Sequence, residues 1–205
     1  MSGNTIKCPL LLQAEIRPQT IGFECGEKQI SFLELHLAVA SQVLRLSDQG
    51  VRPGQVIATL AHNSLDLIVL AAACWRMGSI WAPLNPRWQR SVLEAQLNRL
   101  QPDWLWTDTY PEFADRFRLL AEINGLPESG LLSTHNLMQV QGIPAGSAID
   151  ADSPMDLIQT SGSSGQPKYV VHGLKNHLAS AKGSRSLIPL SPDHGFVCIG
   201  CGAHV

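Results

Sequence analysis

Apolar residues between positions 31 and 107 fall into two alternating rhythms. Leu35, Ala38, Val39, Val43 and Leu46 recur at helical spacing with Gln42 among them, and Ser31-Phe32-Leu33-Glu34 precedes them. That tetrad is a capping box: the serine accepts from an amide three residues on, and the glutamate reaches back. Gly50 follows the run, where a left-handed residue commonly closes a helix. Arg52-Pro53-Gly54 then reads as a turn. Val56 to Ala61 is a β-rich apolar run of strand length. Asn63 and Ser64 are suited to cap a second helix through Met77, closed by Gly78. Ser79 to Ala82 reads as a second strand. Val92, Leu93, Leu97 and Leu100 mark a third helix ending at Pro102, and Trp104-Leu105-Trp106 a third strand. Strand, helix, strand, helix, strand with short links predicts an α/β fold, a parallel sheet flanked by helices.

The rhythm is lost from about Gly125 to Ser153, a stretch rich in Gly, Ser, Pro and Asn that predicts irregular connection. It returns at Met155 to Gln159, a short strand, and at Tyr169-Val170-Val171-His172, another. Leu174 to Leu187 suits a helix despite Gly183. Between the two strands lies a small polar loop, presented at a sheet edge.

Composition narrows the function classes. The chain has 205 residues, 44% of them apolar, enough to bury a sizeable core. Fifteen basic and 17 acidic residues give a net charge of −2, without runs of like charge. That balance argues against a nucleic-acid surface or a polybasic membrane patch. The longest apolar run, Leu67 to Trp75, falls far short of the ~20 residues that span a bilayer. Met1 to Leu12 does not read as a secretory signal. Five scattered cysteines suit reduced thiols better than a disulfide framework. The expectation is a soluble, cytoplasmic protein of unspecified oligomeric state.

The chemistry lies in the loop. Polyphosphate concentrates negative charge, and binding it takes many donors on a backbone that approaches without interference from Cβ atoms. Gly162 and Gly165 free the backbone, and Thr160, Ser161, Ser163 and Ser164 add hydroxyls. Pro167 stiffens the exit and Lys168 brings a cation. Composition alone also suits a flexible Ser/Gly linker; the Pro-Lys ending and the flanking strands set this segment apart. A Walker A loop would need Gly-Lys-Ser/Thr opening a helix, whereas Gly165 precedes Gln166-Pro167-Lys168-Tyr169 and a strand. No Gly-x-Gly-x-x-Gly follows the first strand either.

Thr-Ser-Gly-Ser-Ser-Gly-Gln-Pro-Lys resembles the phosphate-binding signature of the adenylate-forming superfamily: acyl-CoA synthetases, luciferases and peptide-synthetase adenylation domains. Ile30 to Leu35, Gly50 to Ala58, Asn63-Ser64 and Gly78 to Pro86 fall in that family's order, and the resemblance covers roughly Gln29 to Leu190. Within it, Val170 to Leu190 looks most like the 2-succinylbenzoate–CoA ligases of menaquinone biosynthesis. Two departures stand out: Ser164 where threonine is commoner, and Tyr169 where a small residue is usual.

The resemblance implies an ATP-dependent acid–CoA ligase that makes an acyl-adenylate and then an acyl-CoA. Thr160, Ser161, Gly162, Ser163, Ser164, Gly165 and Lys168 would grip the β- and γ-phosphates, and His204 would fall near the acid substrate. ATP, CoA and a small carboxylic acid are the implied partners. The Mg²⁺ ligand belongs to an aromatic-Gly-x-Thr-Glu block that these 205 residues do not contain. No catalytic residue is therefore assigned, and residues 1–205 are expected to be a partial amino-terminal domain without the carboxy-terminal one, inactive alone. The rival expectation is a non-catalytic nucleotide-binding or interaction remnant. Cys198, Cys201 and His204 offer three of the four ligands zinc wants, a weak signal at the chain end. His172 and His177 read as satisfied structural histidines, and Trp75, Trp81, Trp88, Trp104 and Trp106 as core or contact residues.

Overall fold

The computed structural model describes residues 5–108, 110, 113, 116–120, 148–160, 168–188 and 191. In chain order the elements are β1 (Thr5–Lys7), α1 (Pro9–Ile16), β2 (Ile21–Cys25), β3 (Lys28–Ser31), α2 (Phe32–Asp48), β4 (Val56–Leu60), α3 (Leu65–Met77), β5 (Ile80–Leu84), α4 (Arg90–Leu100), β6 (Trp104–Thr107), β7 (Ala148–Asp150), β8 (Pro154–Thr160), β9 (Lys168–Gly173) and α5 (Leu174–Leu187).

Local signals set the helix limits. Ser31 N–H donates to Glu34 Oε2 at 2.8 Å and Glu34 N–H donates to Ser31 Oγ at 3.2 Å, the two arms of the expected capping box. Ser64 Oγ accepts from Leu67 N–H at 3.1 Å and starts α3. Gly78 ends α3 at φ 77°, a left-handed conformation that a Cβ would strain. Gln101 closes α4 in the same region at φ 48°, because Pro102 disfavours the α conformation for the residue before it.

Five strands form the main sheet in the order β6-β4-β5-β8-β9. β4 is parallel to β5 and β6, β5 is parallel to β8, and β9 alone runs antiparallel, against β8. Alternation assigns the two faces. Ile57, Trp81, Trp104 and Trp106 pack with α2 and α3, while Ala58, Leu84 and Leu105 pack with Leu93 and Leu97 of α4. The helices thus cover opposite faces, as right-handed crossovers running first one way and then the other along the sheet require. β4 is buried on both sides, which explains its unbroken apolar run. α3 is buried nearly all round, with Leu65, Leu67, Val69, Leu70 and four small residues inside.

The tryptophans serve the core, as expected: Trp75, Trp81, Trp104 and Trp106 line one face and Trp88 packs on the other. Buried indole N–H groups find acceptors, Trp81 in Thr59 Oγ1 at 2.9 Å and Trp104 in Gln55 Oε1 at 3.0 Å.

The sequence pattern missed some elements. Residues 148–150, inside the stretch read as irregular, form β7, paired antiparallel with β1 across more than 140 residues. A three-residue strand whose partner is so distant carries no local signal. The hairpin β2–β3 and helix α1 were likewise unforeseen. None of the helices among the described residues is long and apolar enough to cross a membrane.

Candidate functional site

β8 and β9 pair over six rungs, from Pro154–Gly173 to Thr160–Lys168. Thr160 is the last residue of β8, at the same end of the sheet as the carboxyl termini of the parallel strands β4, β5 and β6. Ligands of open α/β sheets bind at that end. The last rung is tied once more by Thr160 Oγ1, which donates to the Lys168 carbonyl at 3.4 Å. Both side chains are exposed. Two of the seven expected phosphate-gripping residues, Thr160 and Lys168, therefore face each other at the mouth of the hairpin. Ser161, Gly162, Ser163, Ser164 and Gly165 lie outside the described residues, as do His204, Cys198 and Cys201.

Tyr169, the unusual residue after the lysine, packs against the α4-side core. Its hydroxyl donates to Gln96 Oε1 at 3.1 Å, and burial pushes its pKa up to about 12. The ring pins the start of β9 to α4. Beside it, Gln159 Oε1 is buried without a hydrogen-bond partner among the described residues.

On the other face a group unforeseen from sequence gathers around Asp156. This carboxylate is 1% exposed. Its Oδ1 accepts from Trp75 Nε1–H at 2.6 Å, and its Oδ2 contacts His177 Nε2. Hydrogen bonding of its ring to the accepting Asp156 carboxylate raises the His177 pKa above the usual imidazole value, against the opposing effect of burial. His172 faces Asp156 directly across the ladder, and its ring meets that of His177 edge-on at 5.7 Å. His177 is thus a partnered structural histidine, as expected, whereas the His172 ring nitrogens have no hydrogen-bond partner among the described residues. The available signal was Asp156 itself, an acid set in the apolar run Met155-Asp156-Leu157-Ile158. Beneath it Cys74 is fully buried, and desolvation holds its thiol at about 12, so it is protonated and inert.

A mostly parallel sheet with helices on both faces, and a hydroxyl-and-glycine segment following β8 in sequence, defines an α/β fold of the nucleotide-binding kind. Residues 11–204 match the AMP-binding enzyme family, and the chain belongs to it. Among individual proteins it is similar to 2-succinylbenzoate–CoA ligase of Bacillus cereus, 29% identical over 186 residues that make up 90% of this chain and 36% of that protein. The chain thus spans little more than a third of the length of that relative. Its fold is shared with O-succinylbenzoate coenzyme A synthetase of Bacillus subtilis. The AMP complex of that enzyme superposes with a TM-score of 0.75 at 22% identity, over 91% of this chain and 47% of that one. Its complex with ATP and magnesium ion gives 0.74 at 21% identity, over 91% and 48%.

Proposed function

We propose that this chain supplies the phosphate-gripping part of an ATP-dependent acid–CoA ligase, with 2-succinylbenzoate as the acid. Residues 1–205 are, in this reading, part of the amino-terminal domain of such an enzyme. The observation that carries it is the hairpin mouth: Thr160 and Lys168 paired at the carboxyl end of β8, bracketing Ser161 to Pro167. The named relatives support the choice of reaction and of acid.

The loop's role is electrostatic. Pyrophosphate departs as the carboxylate attacks the α-phosphorus of ATP, and the Lys168 ammonium and the loop's N–H and O–H donors stabilise the charge that develops on it. CoA thiolysis of the acyl-adenylate then releases AMP. Mg²⁺ prefers oxygen ligands. The one cluster of candidate metal ligands among the described residues contains two imidazoles and does not suit it. The Mg²⁺ site is therefore assigned to residues other than these, and His204 to the neighbourhood of the acid.

Equilibrium dialysis with ATP tests the reading. Loss of one charge-assisted contact costs about 1.5–3 kcal/mol, so Lys168→Ala should weaken ATP binding by roughly 10- to 150-fold. Unchanged affinity would remove the loop from the phosphate site. Because these residues span 36% of the Bacillus cereus enzyme, the chain alone should bind nucleotide without releasing pyrophosphate above background when 2-succinylbenzoate is added.

A further inference from the structure

Asp156, His172 and His177 come from three successive elements, β8, β9 and α5, and each offers one ligand atom, all within 4.8 Å of one another. Two imidazoles and a carboxylate form a donor set for a first-row transition ion, not for a hard oxygen-seeking cation. The group is built rather than incidental. Asp156 and His172 share a face because they occupy one rung of the ladder. His177 is brought over them in the first turn of α5, which opens with Gly173 N–H donating to Asn176 Oδ1 at 2.9 Å. Trp75 holds the far oxygen of Asp156, the outer-shell support that orients a ligating carboxylate. A simple ion pair would need only one histidine; here a second imidazole, without a hydrogen-bond partner among the described residues, lies within reach.

We propose that Asp156, His172 and His177 form a zinc-class metal site, in which the ion fastens the edge strand β9 and helix α5 to β8 and leaves its fourth position to water. Ligand atoms around a tetrahedral zinc lie about 3.3 Å apart for bonds of about 2.0–2.1 Å. Asp156 and His177 need only separate from their hydrogen-bonded contact, and His172 only close in, through side-chain rotation of two half-buried rings. Binding takes neutral imidazoles, so a proton on His177 is released to water when the ion enters. Asp156 precedes Thr160 by four residues, about 13 Å along the strand, so the ion would not touch the phosphate segment. The proposal does not depend on the ligase reading.

The experiment uses the full chain after chelator treatment, titrated with Zn²⁺ by calorimetry and with Co²⁺ by visible absorption. One equivalent should bind with tetrahedral Co²⁺ bands and raise the thermal midpoint. His172→Ala, which removes no side-chain hydrogen bond among the described residues, should lower Zn²⁺ affinity at least tenfold with the circular dichroism spectrum unchanged. Asp156→Asn and His177→Ala should do the same, and Lys168→Ala should not. Cys198→Ser/Cys201→Ser controls for the chain-end cysteines and should leave the affinity intact. Unchanged affinity in His172→Ala, failure to bind zinc, or loss of binding in the cysteine variant instead would each overturn the site.

Discussion

The unit β4–α3–β5–α4–β6 and the unit β8–β9–α5 belong to one sheet but are held in opposite ways. In the first, both sheet faces are covered, and Ile57, Leu60, Leu70, Leu84, Leu93, Leu97 and Leu105 are fully enclosed. In the second, α5 buries one residue, Leu174, while Val170, Val171, Leu178, Leu187 and Ile188 remain exposed. Polar fastenings take over there: Lys175 with Asp152, Asn176 with Gly173, His177 with Asp156. The difference teaches that the apolar core and the proposed phosphate-gripping residues occupy separate parts of this sheet. A packed scaffold brings the carboxyl ends of its strands to one rim, and the segment proposed to grip phosphate follows β8 in sequence, between the two strands of the less covered margin.

The largest test of that contrast is truncation on each side. Leu70→Ala should cost about 2–5 kcal/mol, a buried leucine's loss plus its cavity. Leu178→Ala should stay within about 0.5 kcal/mol. Both are read from urea unfolding of chelator-treated protein, and comparable losses would erase the distinction. Native-state hydrogen exchange would sharpen it: α3 amides should exchange only through global unfolding, and α5 amides through local opening. Next in size is Ser31→Ala, which removes the cap of α2 and should cost about 1 kcal/mol; no change would mean that the packed side does not rely on its helix ends.

The smallest effect is a pH slope. Burial, and then the Arg76 guanidinium 3.1 Å away, lower the His36 pKa below 6.5. The unfolded chain therefore takes up the proton first as pH falls. Stability is unaffected well above pH 6.5 and declines as pH drops through that value toward the folded pKa. His36→Gln should flatten the decline between about pH 7.5 and about 5.5, measured as urea midpoints; an identical slope would show the ring is free to charge in place.

What could be read from sequence follows the same divide. Ser31, Ser64 and Gly78 announce helix limits within a few residues of the chain, and apolar runs announce buried strands; local physics suffices. The likeness of Thr160–Lys168 to a phosphate-binding signature is local as well. Asp156, His172 and His177 could not be grouped that way, because ladder register and a helix folding back decide their meeting. The pairing of β1 with β7 depends on contact across most of the chain. Tyr169 looked ill-suited to its position until α4 supplied Gln96 as a partner.

The reversal of β9 has a mechanical consequence. Lys168 and Gly173 are the two tips of one extended rod, roughly 17 Å between them, and Asp156–His172 is a rung near its lower end. Tyr169 anchors the rod to α4 beside one tip, and the six rungs to β8 hold it along its length, so it acts as a strut between the Lys168 rim and the root of α5.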